Sequence, residues 1–181
     1  MVSLLPVAVT AALFFMAPSD PVADPRASIP APTYALLVAP DRKVRGTDAR
    51  VKQYLSEGLE RSATFARLLS TLNESDVIVY IERVMTLPRD TMGRLTLVPV
   101  ANGPRYLRIQ IRSDLSAMES IALIGHEMRH ALEVAEAPRV RDNGALIELY
   151  QRIGHSSGGD HVYDTDAAQN AGRQIRRELL S

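Results

Sequence analysis

The stretch from Leu115 to Pro138 constrains the fold more than any other part of the chain. Ala117, Ile121, Ile124, Met128, Ala131, Leu132 and Ala135 recur at spacings that gather them on one side of an α-helix. The helix is predicted to start after Ser113-Asp114, to run to about Glu136, and to end before Pro138, whose ring cannot continue it. So continuous an apolar face has to lie against a core. The opposite side carries Glu119, His126, His130 and Glu133, so it faces either a cleft or plain water.

Residues four apart in a helix are separated by about 40° around the axis and one turn along it, so His126 and His130 present both imidazoles to one point. One cation can take both. Glu127 is rotated by about 100° from His126, beside that point and not on it, where a general base acting on a metal-activated water would stand. Zinc lowers the pKa of bound water to about 7, and a neighbouring carboxylate can take the proton as the water attacks a carbonyl. Two histidines alone on a polar helix face are commonly just solvated, so the glutamate between them carries much of this reading. Cysteine is absent, which leaves histidine and carboxylate as the strong ligands. Two imidazoles and one carboxylate with an open position suit zinc better than iron or manganese.

The segment Gly125-His126-Glu127-Met128-Arg129-His130-Ala131-Leu132 resembles the active-site helix of the zincin metallopeptidases. The resemblance extends over about the last hundred residues. It implies a β-sheet ahead of the helix, a third metal ligand downstream, and zinc-dependent hydrolysis of peptide or amide bonds. Glu133 and Glu136 stand where the metzincin branch has glycine and histidine, which excludes that branch. In the gluzincin-like form a later helix supplies a carboxylate, often in a Glu-x-x-Ala setting. Asp164-Thr165-Asp166-Ala167 is similar, with aspartate in place of glutamate.

Asp164 heads the buried stripe predicted for the last helix, with Ala168, Ala171, Ile175 and Leu179, whereas Asp166 is rotated by about 200° toward solvent. Asp164 is therefore the expected third ligand. Helix N-capping is its competing role, and His161 and Asp166 are competing ligands. His155, His161 and Tyr163 are candidates to stabilise the oxyanion formed when water adds to a carbonyl. Arg129 departs from the family pattern, which usually has uncharged residues between the glutamate and the second histidine; it can reach a substrate carboxylate or solvent. Glu133, one turn beyond His130, could ligate or support the histidines, but a solvated charge is the expectation.

The remaining sequence sets these residues in a domain. A chain of 181 residues with 46% hydrophobic content suits one globular core. Val77 to Ile81, Arg94 to Val100 and Tyr106 to Arg112 read as strands, the last two joined by a turn containing Asn102-Gly103-Pro104. The expected fold is α+β and zincin-like, a three-stranded antiparallel sheet followed by the active-site helix and C-terminal helices. By analogy with zincins, the polar edge of Tyr106 to Arg112 would align an extended substrate. Further helices are expected from Thr47 or Asp48 to Glu60, from Ser62 onward, and from Asp142 or Asn143 to Ile153. The final helix is expected to begin near Asp164 and run to the C-terminus.

Leu4 to Phe15 is an almost unbroken apolar run followed by Ala17-Pro18-Ser19, so residues 1–19 read as a signal peptide, although Met1, Val2 and Ser3 lack the usual positive charge. Residues 20–31 then form a Pro/Ala-rich linker and residues 32–181 the metal-binding domain. This predicts a secreted or periplasmic protein with no stable membrane span after cleavage. Lysine plus arginine equals aspartate plus glutamate at 21 each, with no basic block, which disfavours nucleic-acid binding. The expected activity is that of a secreted zinc metallopeptidase acting on a peptide or protein, with His126, His130 and Asp164 on Zn2+ and Glu127 as general base. The alternatives are a catalytically inactive zincin-fold metal-binding or interaction protein, and a helical binding domain in which the motif is incidental.

Overall fold

The structure is a computed structural model that describes residues 42–88, 91–98, 100, 103–156 and 163–181. The expected signal segment, the linker, the domain start at residue 32, and His161 lie outside the described residues. In chain order the elements are β1 (Val44–Gly46), α1 (Ala49–Arg61), α2 (Ala63–Glu74), β2 (Val77–Val84), β3 (Gly93–Val98) and β4 (Arg105–Arg112), followed by α3 (Ala117–Ala135), α4 (Asn143–Ile153), β5 (His155–Ser156), β6 (Tyr163–Asp164) and α5 (Asp166–Leu180).

Each helix begins where a short polar side chain accepts from its first free amides. Asp48 takes Val51 N at 2.9 Å for α1, Ser62 takes Phe65 N at 3.0 Å for α2, and Asp142 takes Ala145 N at 2.8 Å for α4. Ser116 and Glu119 cap α3 reciprocally, side chain to backbone in both directions. These signals are local, and the helices start within a residue or two of where they are predicted.

The sheet differs from the expected three-stranded antiparallel meander. It has four strands in the order β1-β2-β4-β3, with β1, β2 and β4 parallel and only β3 antiparallel to β4. Burial explains the order. Val77, Val79 and Ile81 of β2 and Leu107, Ile109 and Ile111 of β4 are fully covered, and the register Val79↔Leu107 and Ile81↔Ile109 sets the two apolar rows side by side. β3 carries Gly93, Arg94 and Thr96 and buries only Leu97, so it takes an edge while the chain returns through the middle as β4.

α3 lies across the sheet, touching β2, β3 and β4, and α1, α2 and α5 pack against it. Ile121, Ile124 and Met128 meet Leu55, Phe65 and Ile175 in one core, each large aliphatic residue contributing about 1.5–3 kcal/mol by leaving water. Gly125 makes the α3–α5 crossing close, since a Cβ there would run into Ile175 Cδ1. The far end of α3 is held by Arg105, which is 4% exposed. Its guanidinium donates to the carbonyls of Val134, Ala135, Ala137 and Val140 and pairs with Asp76, satisfying the last carbonyls of the helix with a cation. The Arg105 hydrogen bond holds the Asp76 carboxyl below its ordinary pKa. Among the described residues no helix is long and apolar enough to cross a membrane.

Candidate metal centre

From His126 onward the polar stripe of α3 is covered, whereas Glu119 is exposed. Glu127, His130 and Glu133 are 4%, 5% and 5% exposed, and His126 is half-buried. The cover comes from α4, where Tyr150 sets its ring edge-on against His130 and donates from its hydroxyl to the His130 carbonyl at 3.2 Å, and from the junction of β6 with α5.

That junction delivers Asp164. β5 and β6 pair antiparallel with His155 opposite Asp164, and the chain then turns into α5. Thr165 is the N-cap of α5, its hydroxyl accepting from Ala168 N at 3.1 Å. Asp164 therefore does not head the last helix, contrary to the expectation, and its competing role as the cap falls to Thr165; the helix starts two residues later and its buried stripe begins at Ala168. Because Thr165 does the capping, the Asp164 carboxylate is turned to the histidines, with Oδ1 at 3.4 Å from Nε2 of both His126 and His130. It is held there by Thr165 N–H at 2.7 Å and Gln169 Nε2 at 3.0 Å. Asp166 is exposed and takes no part.

One donor atom from each of His126, His130 and Asp164 lies within 4.8 Å of the others, so the group could hold a metal ion. The fit to zinc can be tested on the spacing. Ligand atoms at about 2.0–2.2 Å from a tetrahedral ion stand about 3.3–3.6 Å apart. Both histidine–aspartate separations, at 3.4 Å, fall in that range.

Glu133 overturns its expectation as a solvated charge. Its Oε2 lies 2.9 Å from His130 Nδ1 and its Oε1 accepts from the Thr165 hydroxyl at 2.8 Å. A carboxylate can only accept from the ring, so Nδ1 carries the proton and Nε2 is the nitrogen facing Asp164. Arg129 is also accounted for: it lies 3.7 Å from Glu133 and 3.3 Å from Glu136, pairing with its own helix.

The charges follow from this arrangement. Burial pushes the His130 pKa down, but hydrogen bonds with Asp164 and Glu133 outweigh it and carry the ring up to about 9. Burial and then the charge of His130 lower His126. Burial opposes ionisation of Asp164, yet the hydrogen bonds from His130 and Gln169 hold its carboxyl far below the usual range. Glu127 is shifted the opposite way from Asp164, because burial pushes it up to about 7 and no hydrogen-bond partner stands against that among the described residues. Its Oε1 lies where a Cβ on Gly93 would be only 2.8 Å away, so the bare backbone of β3 gives the carboxylate its room.

His126, Glu127, His130 and Asp164 open on a cavity of about 550 Å³ whose far wall is Gly93 to Thr96 of β3. Tyr163 borders it. His155 is exposed, with Nε2 at 3.4 Å from Gln169 Nε2, and is not among the residues lining the cavity. Thr165, Tyr150 and Gly93 were not expected to bear on the site. Of the residues around it, Glu133 had the readable signal, a carboxylate three positions after a histidine on one helix face. Comparison of the chain with protein-family models, curated proteins and solved structures finds no match.

Proposed function

We propose that the protein is a zinc-dependent peptidase of the zincin kind, with His126, His130 and Asp164 as metal ligands and Glu127 as general base. The reading is carried by one conjunction: a His-His-Asp group whose two histidine–aspartate separations suit a tetrahedral ion, beside a buried carboxylate without a hydrogen-bond partner among the described residues, on an open cavity. Zinc in this group would polarise the scissile carbonyl and acidify the attacking water. Glu127 takes the water's proton and returns it to the leaving amine. Glu133 orients His130 and raises its basicity as a ligand, a support that metal-binding histidines usually have. Of the expected oxyanion donors among the described residues, Tyr163 is the one on the cavity wall, and it is assigned that role.

The substrate strand is assigned to β3 and not, as expected, to Tyr106–Arg112. β4 is hydrogen-bonded on both sides and has no edge to offer, whereas β3 is the last strand of the sheet and lines the cavity. An extended peptide can add to such an edge through main-chain hydrogen bonds. Export of the protein, expected from Leu4 to Phe15, belongs to the same proposal.

Metal analysis of purified protein, paired with a peptide-cleavage assay, tests the reading. One zinc per chain is expected, lost in Asp164→Ala and kept in Asp166→Ala, together with cleavage by the zinc-loaded protein. Zinc lost only from Asp166→Ala overturns the ligand set. Zinc-loaded protein that cleaves no peptide overturns the activity and leaves a metal-binding domain.

A further inference from the structure

A second cavity, of about 490 Å³, opens on the other side of His126, between α3 and α5. His126 borders both cavities, so the candidate metal centre stands where they meet. The walls of the second are of two kinds. Leu115, Leu123 and Leu180 give it an apolar floor, and Arg173, Arg176 and Arg177 of α5 bring three guanidinium groups.

These cations are poorly neutralised. Arg173 donates to Gln169 Oε1 at 3.2 Å and Asn170 Oδ1 at 2.8 Å, and Arg177 donates to the Gln174 side-chain oxygen, all neutral acceptors. Arg176 faces Glu119, the one carboxylate among the described lining residues. Glu119 is itself engaged by Ser116, accepting from its N–H at 3.1 Å and its hydroxyl at 2.6 Å. The wall therefore carries a positive excess in a chain whose net charge is zero.

The spacing gives the groove a direction. Gly172 backs directly onto His126, a Cβ there lying 3.3 Å from His126 Cβ. Arg176 stands one helical turn beyond Gly172, about 6 Å, and Leu180 two turns beyond, about 12 Å. That length takes three to four residues of extended chain, at about 3.3 Å each. A chain leaving the metal centre this way would lay an apolar side chain on the leucines and bring a negative group to the arginines.

We propose that this groove is a substrate subsite for an apolar residue and a carboxylate within about three positions of each other, the carboxylate supplied by an aspartate or glutamate side chain or by the substrate's own C-terminus. It deepens the peptidase reading and rests on it for the chemistry at zinc, while the recognition stands on the groove alone. The guanidinium groups bind the carboxylate through charge-assisted hydrogen bonds, and the leucines select the apolar neighbour.

The test is equilibrium binding of fluorescein-labelled peptides to the full-length, zinc-loaded Glu127→Gln protein, which removes turnover. Three amidated peptides share a leucine-containing core and end in glutamate, glutamine or lysine, and a fourth is the glutamine peptide with a free C-terminus. The glutamate peptide is expected to bind at least about tenfold more tightly than the lysine peptide, with glutamine between, and the gap to narrow with salt. A gain for the free acid over its amide assigns the carboxylate to the chain terminus; a gain for glutamate alone assigns it to a side chain. Adding Arg173→Glu and Arg177→Glu is expected to reverse the order in favour of lysine, which a merely damaged fold would not do. Equal affinities, an order unchanged by the charge reversal, or no binding by any of the peptides overturns the subsite. The expected order without cleavage by the wild-type protein leaves the subsite standing and refutes the peptidase reading.

Discussion

Glu127 and Glu133 lie less than two turns apart on α3, are buried to nearly the same degree, and have opposite surroundings. Both oxygens of Glu133 are engaged, one by the His130 ring and one by the Thr165 hydroxyl, so the residue ties two elements to the candidate metal site. Glu127 has no hydrogen-bond partner among the described residues and faces the cavity and the bare backbone of Gly93. Burial alone therefore does not mark a reactive acid. A buried carboxylate with satisfied oxygens serves structure, and one left without partners is a group whose desolvation has been accepted for another purpose.

The largest effect expected from this contrast is on turnover. Glu127→Gln should lower peptide hydrolysis about 10²–10⁴-fold, the usual reach of a general base, with zinc content unchanged. Unchanged hydrolysis in that variant would erase the distinction between the two glutamates. Glu133→Gln should act on the metal instead, weakening zinc affinity about 10–100-fold in a chelator competition, because His130 loses its orienting partner. Equal zinc affinity in the two proteins would show that Glu133 only packs. Gly93→Ala sharpens the other side of the comparison: the new methyl would press on the Glu127 carboxylate, and kcat is expected to fall about tenfold with zinc retained.

The smallest effect lies outside the site, at a third carboxylate that is engaged as Glu133 is. Glu178 accepts from the Ser62 and Thr64 hydroxyls and from Thr64 N–H at the start of α2. Burial would raise its pKa, but the hydrogen bonds from Ser62, Gln174 and Thr64 outweigh it and bring it down to about 2. A depressed folded pKa stabilises the protein above the ordinary carboxylate value near 4.5 and withdraws that support as the pH falls toward 2. Glu178→Gln should cost about 1 kcal/mol at pH 7 in urea unfolding, after allowance for solvent screening. The gap between wild type and variant should shrink as the pH falls from about 4.5 toward 2; a constant gap would mean that the charge is not what matters.

The helices were legible because their signals are short-range. Capping residues at Asp48, Ser62 and Asp142 and the apolar rhythm of α3 need only a few neighbouring residues to act. The sheet order was not, since the parallel pairing of β2 with β4 depends on which strands bury best together, a comparison between segments far apart in the chain. The same divide runs through the site. His126 and His130 could be placed together from helix geometry alone, and Asp164 came from a resemblance in its surrounding residues. For Glu133 the spacing from His130 was readable but its burial was not, because the Thr165 hydroxyl that engages it comes from an element that reaches it only on folding.

Thr165 touches more of this arrangement than its size suggests. Its hydroxyl accepts from Ala168 N at the start of α5 and donates to Glu133, and its own N–H donates to Asp164. The first turn of α5, Asp164 as the proposed third ligand, and the support of His130 are thus fastened at one residue. During synthesis, a chain whose α5 has not yet emerged and docked would carry His126, Glu127, His130 and Glu133 on α3 but would lack Asp164 at the histidines and the Thr165 hydroxyl on Glu133. If the proposed peptidase activity holds, the protein would in this way stay harmless to the machinery producing it until its own folding was complete.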